Sequence, residues 1–161
     1  MQGTHDRNRH RDILARSADS GIDMQAEDHF DAVRSVVTML CSVSLSAEYV
    51  AEAANRSCCE IFDSLGLRSA RVGSILQLVY QTTARTIDQV EGHAAYVGRS
   101  LAFPDRLNAL TVRQRQILAL RAICGFGVGD VAIALSGSVE GIRLEQHRAL
   151  SRLRVEVLSS A

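Results

Sequence analysis

The residues of this 161-residue chain best placed to do chemistry lie near its C-terminal end, and they suit the binding of a polyanion. Arg143, His147, Ser151 and Arg154 recur at three- and four-residue spacing. At 100° per residue they share one edge of a helix, with Leu144 and Arg148 beside them. A guanidinium near the start of such a helix can donate two hydrogen bonds to the edge of a guanine in the major groove. Cations further along, here Arg152 and Arg154, reach phosphates and set register. The amide end of the same helix, near Ser138 and Val139, offers N–H groups to a phosphate. A solvated amphipathic helix shows the same pattern, so the charge around it matters. From Arg99 to Arg154 nine arginines stand against four acids, a surplus of five in a chain whose formal net charge is zero. Such a basic half beside a more acidic one fits a chain with one nucleic-acid face.

Other chemistries find less material. His29, His93 and His147 have no cysteine or carboxylate at metal or triad spacing, and no glycine loop precedes a helix to cradle phosphate. An enzyme, a bound metal and a cofactor are therefore not expected. Cys41, Cys58 and Cys124 fall on apolar helical faces, where a free cysteine packs as a small hydrophobe. Cys58 and Cys59 are adjacent, too constrained for an ordinary bridge. No apolar run reaches the roughly 18 residues of a membrane span and no signal peptide is visible, so the expected location is the cytoplasm.

These side chains need helices to position them. Pro104 is the only proline, aromatics make up 4% of the chain, and 47% is hydrophobic, which favours packed helices over a many-turned β fold. The expected fold is all-α, two small helical bundles with a helix-turn-helix at the C-terminal end. Residues 1–27 read as a flexible polar tail. A first helix is expected from Asp28 to Ser44, with Phe30, Val33, Val36, Val37, Leu40 and Cys41 inward. A second follows Ser46, burying Val50, Ala54, Cys58, Ile61, Phe62 and Leu65 and stopping at Gly66. A third spans Ala70 to Val90, with Ile75, Leu78, Val79 and Ile87 facing the others. Together they form a domain over 28–90. Residues 91–108 read as a linker with too few apolar side chains to fasten the halves together.

The second domain, 109–158, opens with a capping box at Thr111 and Gln114. Its first helix ends at Gly125, a short helix runs from Val128 to Leu135, and Ser136-Gly137-Ser138 makes a tight turn. The last helix then turns Ile142, Leu150, Leu153 and Val157 inward. Short helix, tight turn and long arginine-bearing helix are the layout of a helix-turn-helix.

The stretches Leu110-Thr-Val-Arg-Gln-Arg-Gln-Ile-Leu-Ala-Leu-Arg121, Val131-Ala-Ile-Ala-Leu135 and His147-Arg-Ala-Leu-Ser-Arg-Leu-Arg154 resemble region 4 of bacterial sigma factors of the sigma-70 family. The resemblance is closest to the extracytoplasmic-function (ECF) group. It implies contacts to the −35 promoter element at Arg143, Leu144, His147 and Arg148. With Ser138, Ser151 and Arg154 from the helix face, these make up the expected DNA-binding set. Two positions depart from the family theme. The turn is Ser136-Gly137-Ser138 where Gly-apolar-Ser is usual, and Glu145 stands where many members carry arginine, placing a repelling carboxylate near DNA.

The N-terminal half resembles region 2 of the same family more loosely, through Ala47-Glu48-Tyr49-Val50-Ala51-Glu52-Ala53 and through Ile75 to Asp88. That implies a polymerase-docking surface at Glu48, Tyr49, Glu52 and Arg56. The family's tryptophan and Ala-Arg-Asn string for melting DNA are absent. The implied function is a sigma factor that binds core RNA polymerase and promoter DNA to direct transcription initiation, with an anti-sigma factor as a further partner. The alternative is a degenerate sigma-like regulator acting through protein contacts without promoter opening.

Overall fold

The computed structural model describes residues 26–67, 75–94 and 105–159, and every regular element among them is helical. The order is α1 (Ala26–Ser42), α2 (Ala47–Leu67), α3 (Ile75–Ala94), a 3-10 turn (Asp105–Ala109), α4 (Val112–Leu118) continued by a π turn (Ala119–Ile123), α5 (Val128–Ala134) and α6 (Val139–Ser159). The all-α class is as expected. Apart from Ala26 and Glu27, which open α1, the expected tail lies outside the described residues.

The helices α1, α2 and α3 pack pairwise against one another. On α1 the stripe Val33, Val36, Val37, Leu40 and Cys41 is buried as its spacing requires. Phe30 is 47% exposed, turning its ring edge-on to Phe62 of α2 at 4.4 Å between centroids. The second helix runs through Gly66 to Leu67, one residue past the expected stop.

On α3 the expected face is only partly right. Leu76, Val79 and Ile87 are buried, while Leu78 and Ile75 are half-buried. Thr82, Thr83 and Thr86 complete the buried face. Thr83 Oγ1 donates to the Val79 carbonyl at 2.7 Å and Thr86 Oγ1 to that of Thr82 at 3.2 Å. Because these hydroxyls are satisfied within their own helix, the face can pack without water. The expected start at Ala70 lies outside the described residues. The helix continues to Ala94, so the segment read as a linker from 91 begins as helix and ends in the 3-10 turn.

The C-terminal helices pack α4 and α5 against α6, with the 3-10 turn beside it. Gly125, at φ 77°, ends the π turn. The turn after α5 is a Schellman motif: the Ser136 N–H donates to the Ile133 carbonyl and the Gly137 N–H to the Ala132 carbonyl. Ser136 itself takes the left-handed conformation, at φ 51°.

The inward stripe of α6 differs from the expectation. Ile142 and Ala149 are buried and Leu153 is half-buried, but Leu150 is 52% exposed. Seven residues make nearly two turns, so Ala149 stands almost directly below Ile142, while Leu150 is rotated about 80° away. The Val157 side chain lies outside the described residues.

One apolar cluster runs from Val33 to Ile142 and takes in both bundles. The connector's poverty in apolar residues does not leave the halves insulated from each other. They meet instead through their helices, α3 on α5 and α1 on the π turn. A polar bridge joins them too. Gln116 of α4 donates through Nε2 to Ser44 Oγ at 3.1 Å and accepts at Oε1 from the Tyr80 hydroxyl of α3 at 2.9 Å.

Candidate nucleic-acid interface

The position of α6 is fixed from its neighbour upward. Thr111 Oγ1 accepts the Gln114 N–H at 3.2 Å and Gln114 Oε1 accepts the Thr111 N–H at 3.3 Å, the reciprocal capping box. Gln114 is buried and reaches across to α6. Its Nε2 donates to Glu145 Oε2 at 3.0 Å, and its Oε1 accepts from Arg152 Nη1 at 3.0 Å. Arg121 makes a second brace, donating to the Phe126 carbonyl at 2.6 Å and to Gln146 Oε1 of α6 at 3.2 Å. Ser138 Oγ accepts the Gly141 N–H at 3.0 Å and satisfies one orphan amide at the start of α6.

With the helix held this way, Ser138, Arg143, Leu144, His147, Arg148, Ser151 and Arg154 are all exposed. Six of the seven residues expected to meet DNA thus stand on the outward side of α6, whose opposite side is buried, and the seventh, Ser138, caps its start. Two neighbours behave differently from the expectation. Arg152, read as a phosphate contact, turns toward Gln114 because that buried amide oxygen is within its reach. Glu145 is tied rather than loose: besides the Gln114 bond, Oε1 accepts from Arg148 Nη1 at 2.8 Å. The hydrogen bond from Gln114, then that from Arg148, holds its carboxyl below the usual range against a smaller opposing effect of burial.

Arg113 is a cation that a reading confined to the last helix leaves out. It is exposed, and its Nη2 lies 3.4 Å from where a Cβ on Gly137 would stand, so it flanks the tight turn. The Arg-Gln-Arg motif contained it, but only the fold shows that Arg113 faces solvent while Arg115 is buried.

The expected polymerase set does not share one face. Glu48, Glu52 and Arg56 lie four apart on the outer side of α2, and all are exposed. Tyr49, 100° round the helix, is half-buried and packs against the core. Arg56 is engaged by Glu60 at 3.5 Å.

Cys41, Cys58 and Cys124 are buried and free, and Cys59 is exposed. Burial pushes the Cys41 thiol up to about 12 and that of Cys124 to about 11, and also raises Cys58. Such thiols stay protonated and pack as apolar groups. Among the described residues no group of three histidine, cysteine or acidic side chains is placed to hold a metal, and no helix is long and apolar enough to cross a membrane.

No protein-family model matches the chain. Over 54 residues it is 37% identical to the ECF RNA polymerase sigma factor SigD of Mycobacterium tuberculosis and to that of Mycobacterium bovis. That match covers 34% of this chain and spans about a quarter (26%) of the curated relatives' length. Among solved structures the fold is similar to sigma factor RpoE of Bartonella quintana in complex with the anti-sigma factor NepR. The TM-score is 0.64 at 15% identity, covering 84% of this chain and 98% of that one. It is also similar to CnrH in complex with the cytosolic domain of CnrY, with a TM-score of 0.60 at 14% identity over 97% and 99% of the two chains. The structural likenesses establish the shared all-helical fold, and SigD supplies a sequence likeness confined to 54 residues of this chain.

Proposed function

We propose that the chain directs transcription initiation, with the outer side of α2 on core RNA polymerase and α6 in the major groove of the −35 promoter element. The observation that carries this reading is the outward row Arg143, Leu144, His147 and Arg148, set on a capped helix immediately after a tight turn. Glu48, Glu52 and Arg56 supply the polymerase-facing side. Such a protein works in the cytoplasm, and the RpoE neighbour supports an anti-sigma factor as its regulator.

Reconstitution with core polymerase on a pool of promoter fragments tests this. A defined transcript absent without the chain is expected. Arg143→Ala should cost about 1–3 kcal/mol at the selected site and relax its sequence preference. Arg154→Ala should weaken all sequences alike and flatten the salt dependence by about one phosphate contact.

One observation favours the second reading, a regulator that acts through protein contacts alone. Tyr49 is turned into the core and Arg56 is engaged by Glu60, so the candidate docking surface is narrower than its sequence implies. Binding to core polymerase without any DNA opening would select that reading.

A further inference from the structure

We propose that Glu145 is a specificity-setting residue of the α6 face: anchored by Gln114, it holds Arg148 off the phosphates, lowers affinity for DNA at large and thereby sharpens sequence preference. The inference rests on α6 being the DNA-contacting helix.

The anchor is well determined. Gln114 is 2% exposed, and two donors, the Thr111 N–H and Arg152 Nη1, converge on its Oε1. That fixes which end of the amide is oxygen and points Nε2 at Glu145. A carboxylate on an exposed helix face ordinarily swings into solvent or aside when DNA approaches. Here one oxygen is bound to a buried amide on another helix and the other to Arg148.

The consequence is electrostatic. Affinity for DNA of any sequence grows with the number of phosphates that cations neutralise, each releasing counterions. Arg148, 56% exposed in its side chain and itself part of the outward row, is largely neutralised by a partner 2.8 Å away. The fixed negative charge also repels phosphates. This opposes every sequence, while the base contacts available to Arg143 and His147 favour only the right one. Specificity is a difference of affinities, and a repulsive element can supply it. Helix stability alone explains the arrangement poorly, since an exposed i,i+3 pair contributes only about 0.2–0.5 kcal/mol.

Glu145→Gln removes the charge and keeps the shape and an acceptor for Gln114. The test uses the full chain, a duplex selected by it from a random pool, and a scrambled duplex, titrated at several salt concentrations. Glu145→Gln should bind the scrambled duplex roughly three- to tenfold more tightly, narrow the ratio between selected and scrambled, and steepen the salt dependence by about one phosphate contact. The added steepness should vanish in the Arg148→Ala background. Glu145→Ala, the second variant, should move the same way. Unchanged affinities and slope would overturn the proposal and leave Glu145 a brace between helices. Weaker binding to both duplexes would overturn it also, by showing that the carboxylate contacts DNA favourably. If the wild-type chain selects no duplex, both this inference and the reading of α6 fall. If Arg143→Ala matters and Glu145→Gln is silent, only this inference falls.

Discussion

The two bundles reach the same all-helical architecture by different means. The N-terminal helices are 17, 21 and 20 residues long and lie on one another along apolar stripes. Side-chain hydroxyls there bond back within their own helices, as Ser42 does to Thr38, Ser64 to Glu60 and Thr83 to Val79. In the C-terminal bundle α5 has seven residues and α4 has seven before its five-residue π turn, at or below the roughly 12–15 at which an isolated helix becomes even marginal. What stands in for length is polar: the Thr111–Gln114 box, Asp130 accepting the Gly127 N–H at 3.2 Å, and the Gln114 and Arg121 braces to α6. Short helices held by side-chain hydrogen bonds therefore brace the 21-residue α6, which carries the candidate DNA face. The polar groups that stabilise that half also decide which cations it presents.

The strongest way to break this contrast is through the shared core. Leu40→Ala in α1 and Ile142→Ala in α6 each remove a side chain that is 1% exposed, and each should cost about 2–5 kcal/mol. Because one apolar cluster contains both, either variant should shift a single denaturant transition seen alike by helicity and by a probe in the opposite half. Two separated transitions would show that the bundles unfold independently and that their contact is incidental.

Gln116 sharpens the same point with a smaller effect. It is 5% exposed and supplies the partners of both the Tyr80 hydroxyl and Ser44 Oγ. Gln116→Ala strands those two groups and should cost about 1–3 kcal/mol in a denaturant titration. If the bridge couples the halves, the loss should shrink in a Tyr80→Phe background, since one stranded group is then gone. A loss that stays the same in both backgrounds would mean the bridge is not shared.

Gln116 also marks the limit of what the sequence discloses. Its partners lie 36 and 72 residues away in the chain, so no local pattern singles it out among the glutamines. The signals that could be read are local ones: the stripe of α1, the Thr111–Gln114 box, the glycine ending the π turn, and the outward row of α6. On α6 hydropathy points Leu150 inward, yet close approach of α4 and α5 favours small Ala149 there. The buried threonines of α3 escaped for a similar reason: they look polar until their hydroxyls are seen bonded to their own helix. At the candidate site, residue positions were legible and their pairing was not. Arg148 and Arg152 look alike in sequence, yet one stands in the outward row and the other is drawn to Gln114.

The capping box gives a prediction confined to the short-helix half. Thr111→Ala removes the acceptor of the Gln114 N–H and loosens the side chain on which Glu145 and Arg152 depend. A loss of about 1 kcal/mol is expected by thermal or denaturant unfolding. Amide exchange should quicken more through α4 and α6 than in α2, where only the loss of global stability is felt. Equal quickening in α2 would contradict the division of labour between the bundles.

The smallest effect lies in the turn itself, and it should be a gain. Ser136 occupies the left-handed position of the Schellman motif, where a Cβ crowds the backbone and glycine is preferred. Gly137, which in the sequence looks like the residue that makes the turn, has no positive φ. A Cβ there would meet Arg113 Nη2 at 3.4 Å and Ile142 Cδ1 at 3.8 Å, ordinary contacts. Ser136→Gly relieves the crowding but enlarges the freedom of the unfolded chain, so the net stabilisation should stay below about 1 kcal/mol. Gly137→Ala should fall within about 0.5 kcal/mol of neutral. The pair is decisive because the two variants exchange roles if the backbone is otherwise. A loss on Ser136→Gly with a loss above 1 kcal/mol on Gly137→Ala would place the left-handed residue at Gly137, and with it a different entry angle for α6.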